Sequence, residues 1–218
     1  MTQLEQTRET TVEVGSHHLE GILRIPENAI GLVIFAHGSG SSRLSPRNTH
    51  VAHQLNSRGL ATLLFDLLTE HEAAYRANVF DIPLLGTRVA EAVRWARESS
   101  ETASFNIGLF GSSTGAAAAL VAAAQAPDDV GAVVSRGGRP DLAGDYLPSV
   151  RAPTLLIVGG ADYGVIELNE QALERLTCEK RLEIIPGATH LFEEPGTLDQ
   201  VVDLTGRWFE THLGRSVQ

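Results

Sequence analysis

The sequence predicts an α/β domain built on a mostly parallel sheet with helices on both faces, and three observations carry that prediction. Short apolar runs rich in β-branched residues recur along the chain. Longer stretches of helical character follow them. Hydrophobicity in the runs is continuous rather than alternating, as expected of strands covered by helices on both sides.

The first elements stand apart from this pattern. Thr11 to Val14 (TVEV) and Leu19 to Pro26 (LEGILRIP) flank Gly15 and Ser16 and read as an antiparallel hairpin at the sheet edge. The parallel runs are Gly31 to Ala36, Leu60 to Phe65, Ile107 to Phe110, Val130 to Val134, Thr154 to Val158 and Leu182 to Ile185. Helices are expected over Pro46 to Ser57, Leu84 to Glu98, Thr114 to Gln125, Ile166 to Leu176 and Leu198 to His212. The second of these sets Val89, Val93 and Trp95 among Arg88, Glu91, Arg94 and Arg97, an amphipathic surface helix. The third, TGAAAALVAAAQ, is small and apolar all round and suits tight packing on the sheet. Leu68 to Phe80 is the least patterned stretch, long enough for a functional loop and too short for a lid domain.

Composition bounds the function. A chain of 218 residues fits one domain, taken as residues 1–218, and its 43% hydrophobic and 20% charged content is that of a folded globular protein. A formal net charge of -10 argues against nucleic acid as a partner. The apolar runs are too short to span a bilayer, so no membrane partner is expected. The opening MTQLEQTRET lacks the basic and apolar regions of a secretory leader, and the single Cys178 forbids an internal disulfide. A cytoplasmic location is the expectation.

Chemistry enters at Gly111-Ser112-Ser113-Thr114-Gly115, where a predicted strand meets the alanine-rich helix. Small flanking residues permit the strained turn that lifts a serine hydroxyl above a sheet, so Ser113 is the candidate nucleophile. A serine needs a base, and the base an acid that orients it. His190 in PGATH and Asp162 in GGAD each lie just beyond a predicted strand, at the sheet edge where such folds place their sites. Asp141, in RGGRPDLAG, competes for the acid role, and Asp162 also suits a helix N-cap. Thr114 and Ser39, the latter in His37-Gly38-Ser39-Gly40-Ser41-Ser42, would offer backbone N–H groups to an oxyanion. His17, His18, His50, His53 and His71 show no metal-ligand spacing, and no dinucleotide or P-loop glycine pattern appears, so neither metal nor cofactor is expected.

From the HGSGSS loop through GSSTG and GGAD to GATH, the chain resembles the α/β hydrolases, and in particular the small, lid-poor dienelactone-hydrolase-like group. The resemblance covers nearly the whole chain. It implies an α/β-hydrolase fold, an acyl-enzyme on Ser113, and a small-molecule ester or lactone as substrate, with a homodimer as the candidate oligomer. Dienelactone hydrolase itself uses cysteine where this chain has Ser113, which directs the expectation toward general esterase chemistry. Domains of this kind also occur fused to phosphoribosyltransferase-like domains; the expectation here is the hydrolase-like unit alone. An acyltransferase or perhydrolase with the same triad is the alternative, as is a non-catalytic binding protein on the same fold. With no long insertion between Val130 and Thr154, an open, shallow cleft and short acyl chains are expected. Arg43 and Arg47, with Arg136 and Arg139, lie near the same edge; Arg43 and Arg136 are candidate ligands for an anionic substrate, unless nearby acids such as Asp66 or Asp141 pair with these arginines.

Overall fold

A computed structural model describes residues 7–214. Its centre is an eight-stranded sheet with the order β1-β2-β4-β3-β5-β6-β7-β8. Strands β1 (Thr7–Val14) and β2 (Leu19–Pro26) form the expected antiparallel hairpin, with Val14 opposite Leu19, and β2 also runs antiparallel to β4 (Leu60–Phe65). From β4 through β3 (Gly31–Ala36), β5 (Ile107–Ser112), β6 (Val130–Arg136), β7 (Thr154–Gly159) and β8 (Lys180–Ile185) every pairing is parallel.

Helices α1 (Pro46–Asn56) and α7 (Thr197–Leu213) cover one face. The other carries α4 (Ile82–Glu98), α5 (Thr114–Gln125) and α6 (Tyr163–Arg175). The central strands are buried along their length, which explains their unbroken apolar character. Helix α5 is buried continuously from Thr114 to Ala123; its alanines let it press flat on the sheet and against α4. Edge strands depart from the expectation of two-sided burial: β8 is largely exposed up to Ile184, because no further strand covers its outer side.

Several boundaries differ from the sequence reading: β1 begins at Thr7 rather than Thr11, β8 at Lys180 rather than Leu182, and two helices start two or more residues early. Helix α4 begins at Ile82, two residues early, because the Asp81 side chain accepts from the Leu84 N–H at 3.0 Å and Pro83 suits the first turn. Helix α6 begins at Tyr163, directly after Asp162. The segment from Leu68 to Phe80, read as a loop, contains two single-turn helices, α2 (Glu70–Ala73) and α3 (Arg76–Val79). Between β6 and β7 the chain forms only short 3-10 turns, Pro140–Ser149, packed on α5 and α6.

Candidate active site

The loops after the carboxyl ends of β3, β5, β6, β7 and β8 converge, and each contributes one part of the site. At the end of β5 the chain reverses into α5 through Ser113, which holds φ 51° and ψ −124°. The flanking glycines are sterically required. A Cβ on Gly115 would fall on the carbonyl oxygen of Ala36 and lie 2.5 Å from that of His37, and one on Gly111 would lie 2.6 Å from the Ala116 nitrogen. The turn is clamped from the β6 loop, where the Arg139 N–H donates to the Ser113 carbonyl at 3.0 Å.

Asp162 ends the β7 loop and His190 lies in the loop after β8. The His190 Nδ1–H donates to Asp162 Oδ2 at 2.6 Å, which leaves Nε2 as the free ring nitrogen. The two loops are also joined through the backbone, the Ala161 N–H donating to the Ala188 carbonyl at 2.9 Å. Glu194 fixes the base loop by accepting from the Thr189 N–H at 3.1 Å and the Thr189 hydroxyl at 2.6 Å; these bonds hold the Glu194 carboxyl below its ordinary pKa. No hydrogen bond joins Ser113 to His190 among the described residues. Asp141, the competing acid, is held by Arg139 through two bonds of 2.9 and 2.8 Å.

The β3 loop closes the other side. Gly38 sits so near Ser113 that an added Cβ would lie 3.0 Å from its Cβ and 3.7 Å from its Oγ. The Ser39 N–H donates to Thr114 Oγ1 at 2.9 Å, so both residues read as oxyanion donors meet here. His37 sets the loop's course: its Nε2 accepts from the Leu67 N–H at 3.1 Å, so Nδ1 carries the proton shared with the Gly38 carbonyl at 3.0 Å. Burial holds its pKa below the ordinary value against the opposing pull of Gly38 and Asp66, so the ring is neutral. The sequence reading missed this role; the strand-end position of His37 was its only signal.

The two arginines proposed for an anionic ligand do not act together, and neither is free in the cleft. Arg43 borders it but forms ion pairs with Asp66 and Glu20, and its backbone N–H also donates to Asp66, at 2.7 Å. Arg136 is only 6% exposed and lies on the α1 side, where Nη2 donates to Asn48 Oδ1 at 3.3 Å and Nε has no partner among the described residues. Asn48 in turn donates to Ser112 at 3.4 Å. Burial and the neighbouring charge of Arg47 bring the Arg136 pKa down to about 10, so it stays cationic at neutral pH. Arg47 itself pairs with Glu193.

A cleft of about 640 Å³ opens beside Gly38 and Ser39, between the β3 loop and the Leu67–Val79 segment. Among the described residues no group of three or more His, Cys, Asp or Glu side chains is placed to hold a metal ion, and no helix is long and apolar enough to cross a membrane.

Sheet order, crossover helices and a serine at a strained strand-to-helix turn define an α/β-hydrolase fold. The model of the dienelactone hydrolase family matches residues 19–203, and the chain belongs to that family. A dienelactone hydrolase from Anabaena variabilis ATCC 29413 superposes with a TM-score of 0.91 at 55% identity, over 96% of this chain and 99% of that one. Est1E from Butyrivibrio proteoclasticus shares the fold, with a TM-score of 0.77 at 18% identity over 94% of this chain and 98% of its own. A Mycobacterium tuberculosis protein named putative phosphoribosyl transferase is 57% identical over 205 residues, which are 94% of this chain and 46% of the relative. The chain therefore spans less than half the length of that relative.

Proposed function

We propose that the protein is a serine hydrolase that cleaves carboxylic esters or lactones through an acyl-enzyme on Ser113. The observation that carries this reading is the positive φ of Ser113 at the strand-to-helix turn, a conformation that presents a side chain above the sheet. The 2.6 Å His190–Asp162 bond supplies the remaining chemistry. Ser113 Oγ attacks the carbonyl carbon as its proton passes to His190 Nε2. The tetrahedral intermediate collapses, the C–O bond to the leaving group breaks, and His190 returns the proton to that alkoxide. Water then repeats the sequence: its proton goes to His190, its oxygen to the acyl carbon, and the proton finally to Ser113 Oγ. Asp162 stays ionised and stabilises the imidazolium.

The developing oxyanion is held by the Thr114 N–H, free at the first turn of α5, and by the Ser39 N–H, where the substrate oxygen displaces the Thr114 hydroxyl. Arg43 is engaged by its ion pairs and Arg136 is buried, so this reading assigns neither of them a ligand. The chain matches 46% of the M. tuberculosis relative, so that relative's name carries no reading of this site. Fluorophosphonate labelling with peptide mapping should mark Ser113 and no other serine. Ser113→Ala and His190→Ala should each lower ester turnover by about 10⁶, with the double variant hardly worse. Equal turnover in wild type and Ser113→Ala ends this reading.

A further inference from the structure

The charge around the cleft points to the class of group it receives. Its floor is apolar, formed by Leu19, Leu67, Leu68 and Leu85, with Val79 and Ala73 on the α2–α3 side. Gly38 also lines the cleft, and a Cβ added to it would lie 3.0 Å from Ser113 Cβ. Four side chains bearing fixed charge border it: Glu20, Arg43, Asp66 and Glu70. Arg43, the one cation among them, lies between Asp66 and Glu20, 2.5 Å from the latter. His18, also on the rim, is engaged by Glu13 at 3.0 Å. Three carboxylates thus face one guanidinium, and the cleft mouth is negative.

Resting on the hydrolase reading above, we propose that this cleft receives an uncharged, mainly apolar part of the ester and rejects a carboxylate-bearing one. An anionic group entering here meets net negative charge, and it must break the Arg43–Asp66 pair to obtain a counterion, leaving Asp66 unpaired. An apolar group instead covers the leucine floor and leaves every ion pair intact. The volume of about 640 Å³ accommodates a group considerably larger than acetyl.

The test uses three matched substrates: p-nitrophenyl 5-methylhexanoate, mono-p-nitrophenyl glutarate and p-nitrophenyl 4-(trimethylammonio)butanoate. At low salt the neutral ester should exceed the glutarate in kcat/KM by about tenfold or more, and the gap should narrow with added salt. Glu20→Gln and Glu70→Gln should each narrow it as well. Titration calorimetry of the same compounds into Ser113→Ala should show the neutral probe binding more tightly than the glutarate, independently of turnover. Equal or better binding of the glutarate, or preference for the ammonium ester over the neutral one, overturns the proposal. Absence of Ser113-dependent hydrolysis alongside the expected binding order sinks the hydrolase reading alone.

Discussion

Ser113 holds a conformation that disfavours an L-residue by about 1–3 kcal/mol, so its surroundings must over-determine it. They do so through space rather than bonding alone: Gly115 has no room for a methyl group under Ala36 and His37. Gly115→Ala should therefore cost about 3 kcal/mol or more, read as a lower urea midpoint at unchanged slope. For the acid, Asp162→Asn should lower kcat/KM by about 10⁴, since the amide imposes the wrong tautomer on His190. Asp141→Asn should cost far less, because Asp141 is occupied by Arg139; the reverse order in steady-state kinetics would move the acid to β6. His37 gives a pH signature. Its folded pKa lies below the ordinary 6.5, so below that pH the unfolded chain binds a proton that the native state refuses. The stability associated with neutral His37 is complete above that value and is lost as pH falls toward the folded pKa. His37→Gln keeps a donor and an acceptor without titrating, and should flatten the decline seen by urea melts between about pH 7 and pH 5.5.

At the scale of elements, α2 is a single turn that could not stand alone, and it is held from two sides. Thr69 and Glu72 form a reciprocal capping box, and Glu72 also takes Arg88 Nη2 at 2.7 Å. Burial raises the Glu72 pKa, but the Thr69 N–H and Arg88 outweigh it, so the carboxyl titrates below its ordinary value. Arg88, 5% exposed, reaches on to His17 Nδ1 at 2.7 Å, joining α4, the hairpin turn and the cleft wall. Removing this buried cation leaves Glu72 and Glu91 without it, so Arg88→Met should destabilise by about 2–3 kcal/mol in thermal or urea melts. Loosening of the wall should appear in kinetics as a KM for the 5-methylhexanoate ester raised severalfold with a smaller change in kcat. The sequence hid this wall because four residues are too few to display a helical period. The Thr69-to-Glu72 capping signal was present without the apolar run that normally follows it.

For the whole molecule, the consequential feature is how the open site edge is bordered. The β6–β7 connection stays in short turns against α5 and α6, while the segment after β4 borders the cleft. With no element to displace from the site, the rate on tributyrin should rise hyperbolically through the solubility limit. A jump at the onset of emulsion would show interfacial activation and contradict this architecture.

The sequence by itself determined the layered α/β plan, because strands such as β3 and β5 are buried on both sides and must be apolar throughout. It likewise located the serine turn, since the glycine requirement is local to five residues, and it placed Asp162 and His190 by their positions at strand ends. Which polar group meets which was decided only by the tertiary structure. Arg43 finds Asp66, 23 residues away, the Ser39 N–H finds Thr114, 75 residues away, and Arg136 finds no carboxylate among the described residues. Periodicity records burial, which each residue expresses in its own identity. Pairing between loops depends on how far each strand carries its end and how the helices pack beside it, and no short stretch of sequence encodes those distances.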